Sequence, residues 1–196
     1  MREKRKRKII LSYDDNLMSL KPWKKLSEEA LFKNNWWTYK RDMYELPSGK
    51  VGEYNYVHIG GSAMVVPIMK DGQVLLVNQY RYLNSRESLE FPCGSVKERM
   101  THDEAAWHEL AEETGYSSNR MFLAGEFNPY NGVTNEICKV YIARELQHVG
   151  GVPDETEEFE LVALTADEID AKIQSGEIWD GMTIAAWCIV KAKVNL

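Results

Sequence analysis

Between Met100 and Asn119 the chain has no lysine or arginine, although that span holds Asp103, Glu104, Glu109, Glu112 and Glu113. Other scarcities bound the protein as a whole. Cysteine is limited to Cys93, Cys138 and Cys188, an odd count with no C-x-x-C pair. That count argues against a disulfide framework and fits a reducing cytosol, so a cytoplasmic location is expected. No apolar run approaches the ~20 residues of a membrane span. The basic start "MREKRKRK" is followed only by "IIL", too short for a signal-peptide core. We read it as a solvated tail, the alternative being a contact with a phosphate-bearing partner. Excess positive charge is also missing: the net charge is -6, which does not favour a nucleic-acid-binding surface. Internal repeats and low-complexity segments are absent.

What is present reads as an ordinary globular chain, with 44% hydrophobic and 28% charged residues in 196. That length suits one sizeable core, or a small domain plus a larger one. The aromatic stretch "NNWWTYKRDMYELPSGKVGEYNYV" is interrupted by "PSG" at 47–49 and reads as a hairpin in a small N-terminal antiparallel β subdomain, residues 1–58. In "SAMVVPIMKDGQVLLVNQYRY" two apolar runs flank Asp71-Gly72, a two-residue hairpin signal because glycine tolerates the positive φ of the turn. "ESLEFP", "FLAGEF", "ICKVYIARE" and "FELVAL" are further strand candidates. "TADEIDAKIQSG" has Thr165 and Glu168 at capping-box spacing and Gly176 just past its end, which predicts a helix. "GMTIAAWCIVKAK" reads as an apolar helix packed on a sheet. Strands and helices interleave, which predicts a mixed α/β sandwich over residues 59–196.

The acidic span has its own start and stop signals. Thr101 and Glu104 have capping-box spacing, and Gly115 is a natural terminator. The spacing predicts a helix over 102–114. At about 100° per residue, with Glu109 at zero, Glu113 falls near about 40° and Glu112 near about 300°. The three carboxylates share a face, and Trp107, Leu110 and Ala111 are expected opposite them, toward a core. Ala105 and Ala106 are small enough to let the preceding loop "FPCGSVKERM" approach. Acids at i and i+4 repel by about 0.2–0.5 kcal/mol, and Glu113 sits in the last turn, where the helix dipole disfavours an anion. Such a face calls for a cation. Three oxygen ligands within one turn suit a hard divalent ion, Mg²⁺ or Mn²⁺.

The order of these features resembles the signature of the Nudix hydrolase family, G-x5-E-x7-R-E-U-x-E-E-x-G-U, where U is a bulky apolar residue. Gly94, Glu109, Leu110, Glu112, Glu113, Gly115 and Tyr116 match. Met100 stands in place of the pattern's first Glu and His108 in place of its Arg. "NQYRYLNSRESLEFPCGSV", "NPYNGVTNE" and "DETEEFELVALTADEIDAKIQSGEI" resemble segments of the ADP-ribose pyrophosphatase branch. The resemblance implies an α/β/α sandwich and metal-dependent cleavage of a nucleoside diphosphate linked to another group. It implies Glu109 and Glu113 as principal metal ligands, Glu112 as a shared or catalytic carboxylate, and the Cys93 carbonyl as a further ligand. Arg81 and Arg86 become candidate phosphate contacts, and Glu136 a candidate for metal or substrate. Glu155 and Glu157, in the acidic loop "PDETEE", become general-base candidates. Trp36, Trp37 and Tyr39 can stack on a nucleobase. A homodimer with exchanged N-terminal strands follows from the same likeness.

The two departures define the alternatives. If the pattern's Glu and Arg mainly pair with each other, losing both leaves no orphan charge. Met100 then fills space, and His108, beside Glu112 on the wheel, still donates a hydrogen bond. The competing readings are a non-catalytic nucleotide sensor on the same fold, and an enzyme for dinucleoside polyphosphates or capped RNA.

Overall fold

The computed structural model describes residues 20–150 and 160–194. The basic run at 1–8 and the loop candidates Glu155 and Glu157 lie outside the described residues. In chain order the elements are β1 (Lys24–Lys33), β2 (Thr38–Glu45), β3 (Val51–His58), β4 (Ser62–Pro67), β5 (Val74–Arg81), β6 (Arg86–Glu90), β7 (Cys93–Ser95), α1 (His102–Thr114), β8 (Tyr116–Phe127), β9 (Cys138–His148), β10 (Glu160–Leu164), α2 (Ala166–Ser175) and α3 (Gly181–Lys191). Three sheets result, ordered β1-β2-β3, β10-β5-β6 and β7-β4-β9-β8. The last is mixed, because β4 pairs with β9 in parallel and with β7 antiparallel.

β4 organises the larger part. All six of its residues are buried, as a continuous apolar run without polar alternation demands when both faces are covered. Met64 and Val66 point into a core shared with Val74 and Leu76 of β5, Ile169 of α2, and Ala186, Trp187 and Val190 of α3. Ala63 and Val65 point the other way, onto Ala105, Ala106 and Leu110 of α1. The expected α/β/α sandwich is thus present, with an antiparallel sheet before it.

The Asp71-Gly72 turn forms, with Gly72 at φ 88° and Met69 N–H donating to Gln73 O at 2.8 Å. It does not make a regular hairpin. After one bridge, Ile68 to Val74, the chain passes into a different sheet. The reason is topological: β7 and β9 already occupy both edges of β4, so β5 has none to pair with. The "PSG" turn does join two paired strands, β2 and β3, and Leu46 N–H closes it on Lys50 O.

A third strand in that sheet, β1, carries no alternation that would announce it. All ten of its residues are exposed. Cross-strand ion pairs, Lys40 with Glu28 at 2.7 Å and Arg41 with Glu29 at 2.6 Å, decorate its ladder with β2.

Candidate active site

The helix α1 spans His102–Thr114, as its caps predict. Thr101 Oγ1 accepts from Glu104 N at 3.2 Å, and Glu104 Oε2 accepts from Thr101 N at 2.8 Å. Gly115 ends the helix at φ 70°. One expectation fails here. Trp107 is 40% exposed, whereas Glu109 and Glu113 are each only 9% exposed. The buried sector runs through Ala105, Ala106, Glu109, Leu110 and Glu113. The acidic face and the core face therefore overlap instead of opposing each other. The wheel gives angles between residues but not which sector meets the sheet; the small Ala105 and Ala106 settle that by letting β4 come close.

The loop from β6 to α1 closes over the carboxylates. Cys93 N–H donates to Glu113 Oε2 at 3.2 Å. A Cβ placed on Gly94 would lie 2.0–2.4 Å from the carboxylate atoms of Glu109. Only glycine leaves this space, so Gly94 forms a cradle for the Glu109 head group. The Cys93 thiol is held well above its usual range by the neighbouring Cys138 thiol, by burial, and by Glu113 and Glu109. The backbone carbonyl of Cys93 remains this residue's candidate donor.

The two departures from the signature fill their places. Met100 packs against the cluster under α1. His108 Nδ1 lies 2.9 Å from Glu112 Oε2 and 3.9 Å from Glu109 Oε1. Two nearly buried carboxylates, a third beside an imidazole, and a glycine cradle form a donor set that suits a divalent cation.

Arg81 and Arg86 face each other in register across β5 and β6, and like charges in that position repel. Their side chains part. Arg81 Nε donates to Glu90 Oε1 at 2.7 Å, and its Nη2 pairs with Glu90 Oε2. Arg86 instead lies over the ring of Trp179, 3.7 Å from its centroid. Glu90 is 3% exposed and escaped the sequence reading. A lone acid between Leu89 and Phe91 was the available signal, because a buried carboxylate needs a partner. The Arg81–Glu90 fork stands near the helix face, since Glu113 and Asp180 both contribute to the field on Arg81.

The other candidates lie in separate places. Glu136 accepts from Ser62 Oγ at 2.6 Å, at the start of β4. Trp36 and Trp37 donate their backbone N–H groups to Asn34 Oδ1 in the β1–β2 turn, and Trp37 packs on Phe32. Tyr39 sits opposite Phe32 on β2. Trp36 is 77% exposed, an aromatic face without cover. A second feature also escaped the sequence reading: a polar cavity of about 300 Å³ lined by Asp42, Tyr54, Tyr56, Asn131, Thr134 and Asn135. Tyr54 OH bridges it by donating to Gly132 O at 3.1 Å.

Comparison with known proteins bears on this arrangement. The NUDIX domain model matches residues 59–184. The methanol dehydrogenase activator of Bacillus methanolicus is 30% identical over 83% of this chain and 89% of its own. The ADP-ribose pyrophosphatase of Bacillus subtilis (strain 168) is 29% identical over 88% and 97% of the two chains. A protein of the same description from Mycobacterium tuberculosis is 27% identical over 85% and 82%. The crystal structure of an ADP compounds hydrolase superposes with a TM-score of 0.76 over 89% of this chain and 95% of that one; at 20% identity the likeness shows the fold. The chain is a hydrolase of the NUDIX domain family, on the branch that includes the two ADP-ribose pyrophosphatases.

Proposed function

We propose that the protein cleaves the diphosphate of ADP-ribose, or of a related nucleoside diphosphate sugar, to a nucleoside monophosphate and a sugar phosphate. The carrying observation is the nearly buried pair Glu109 and Glu113 under the Cys93-Gly94 loop. Two pyrophosphatase relatives, aligned over most of their length, support the substrate class.

In this reading Glu109, Glu112, Glu113 and the Cys93 carbonyl would hold Mg²⁺ or Mn²⁺, which would supply positive charge to offset the diphosphate and would acidify a water. The chain supplies the rest. Cys93 N–H fixes the rotamer of Glu113, and His108 does the same for Glu112. Arg81 uses two of its five donors on Glu90 and keeps the others for a phosphate oxygen. Arg86 and Glu136 stand as flanking contacts, and Glu155 or Glu157 as the general base.

Residues 1–58 form the dimerisation and base-binding part in this reading, and 59–196 the hydrolase. Trp36, Trp37 and Tyr39 offer stacking faces, and Tyr54 adds another at the polar cavity. Among the described residues β1 is an edge strand, with Leu26, Leu31 and Phe32 exposed. Exposed apolar edges are a pairing hazard unless another chain covers them. The expected solution mass is twice the 22.6 kDa of the chain. Light scattering behind size exclusion reads it, and a single-chain mass at micromolar protein would remove the dimer from the reading.

The substrate is tested by product analysis with Mg²⁺ and Mn²⁺ over ADP-ribose, nucleotide sugars, dinucleotides and diadenosine polyphosphates. ADP-ribose should give AMP and ribose 5-phosphate. A preference for the diadenosine compounds would move the protein to another substrate class. Binding without cleavage, whatever the metal, would make it a sensor.

A further inference from the structure

Among the described residues, His108, Glu109 and Glu112 present one nitrogen and two oxygen donor atoms that all lie within 4.8 Å of one another. The imidazole Nδ1 is 2.9 Å from one carboxylate and 3.9 Å from the other. Donors around an octahedral ion with bonds of about 2.1 Å stand about 3.0 Å apart when adjacent and about 4.2 Å when opposite. The 2.9 Å separation from Glu112 is close to the adjacent value, and the 3.9 Å separation from Glu109 lies between the adjacent and opposite values. The three also grade from shelter to water when side-chain atoms alone are counted: Glu109 is 12% exposed, Glu112 29% and His108 45%. An ion held there is reachable from solvent on the imidazole side and backed by the Gly94 cradle on the other.

The chemistry of position 108 matters because arginine stands there in the signature. A guanidinium keeps its proton in proteins and offers donors only. It orients a carboxylate but cannot bind a metal. A neutral imidazole can do either. Carboxylates alone favour Mg²⁺ and Mn²⁺, whereas adding an imidazole moves the preference toward first-row transition ions.

We propose that His108 is itself a metal ligand, and that with Glu109 and Glu112 it forms a mixed nitrogen–oxygen position selecting a transition cation such as Zn²⁺, Co²⁺ or Mn²⁺ over Mg²⁺. The inference rests on reading the α1 face as a metal centre, and it adds a ligand that the signature lacks.

The test uses the full chain and the metal ions themselves. Zn²⁺ and Mg²⁺ affinities are measured by calorimetry for the wild type, His108→Ala, His108→Arg and His108→Gln. Glutamine keeps a hydrogen-bond donor for Glu112 but has no imidazole. Zn²⁺ affinity should fall about tenfold or more in all three variants, while His108→Gln changes Mg²⁺ affinity little. Pulsed EPR of the Mn²⁺-loaded wild type should show a directly bound imidazole nitrogen, absent in His108→Gln. Unaltered Zn²⁺ affinity in His108→Gln, or no nitrogen coupling in the wild type, overturns the proposal while leaving the carboxylate centre in place. A wild type that binds no divalent ion overturns both.

Discussion

Glu113→Gln is expected to lower kcat for diphosphate cleavage by about 10³-fold, the upper range for removing one group that stabilises transition-state charge, without loss of the fold. Glu113 lies on the buried sector of α1 and accepts from Cys93 N–H. An amide oxygen accepts the same hydrogen bond, so the loop keeps its anchor. What disappears is a negative charge that the proposed metal site needs. The stability readout should move the other way. Glu109 and Glu113 repel at i and i+4, and Glu113 is an anion in a last turn that contains no base. The metal-free variant should therefore melt at or above the wild-type temperature while activity collapses. Product release by chromatography and a thermal melt check the two halves. Activity within a few-fold of wild type would end the assignment of Glu113 to the metal; an unfolded variant would show that its role is structural.

Gly94→Ala should also disable the site, by a different route. The added Cβ would fall 2.0 Å from Glu109 Cδ and 2.1 and 2.4 Å from its two oxygens. Such contacts cannot persist. The displaced group is the end of a flexible side chain, so Glu109 should swing into another rotamer at a cost of about 1 kcal/mol. The melting temperature then changes modestly. Activity should fall about 10²-fold or more, because the proposed ligand Glu109 leaves its position and the replacement methyl occupies it. Gly181→Ala is the control, since a Cβ there meets nothing within 4 Å. If Gly94→Ala retains wild-type activity, the cradle does not set the position of Glu109.

Both variants turn on a relation that the sequence only partly displays. The bounds of α1 were legible because capping boxes and terminal glycines act within a few residues: Thr101, Glu104 and Gly115 each appear in their expected role. The same local logic marked Thr165, Glu168 and Gly176 on α2. The sandwich was legible because unbroken apolar runs such as that of β4 must be covered on both faces. What was not legible depends on partners distant in the chain. The separation of β4 from β5 follows from β7 and β9 occupying both edges. The pairing of Arg81 with Glu90 joins residues that are not register partners, since Arg81 stands opposite Arg86 and Glu90 opposite Val77. The burial of Glu109 and Glu113 follows from where α1 meets the mixed sheet. β1 escaped because nothing in it alternates toward a core.

The position of β4 has a last consequence, for how the site fluctuates. Its backbone is laddered on both edges and covered on both faces, so its amides reach water only when the surrounding unit opens cooperatively. α1 rides directly on Ala63 and Val65 of that strand. The spacing of the carboxylates is thereby tied to a strand that opens only with the unit around it, whereas the wholly exposed edge strand β1 has no such cover. The carboxylate face should therefore keep its geometry until the surrounding unit opens, which hydrogen exchange of the β4 amides would read.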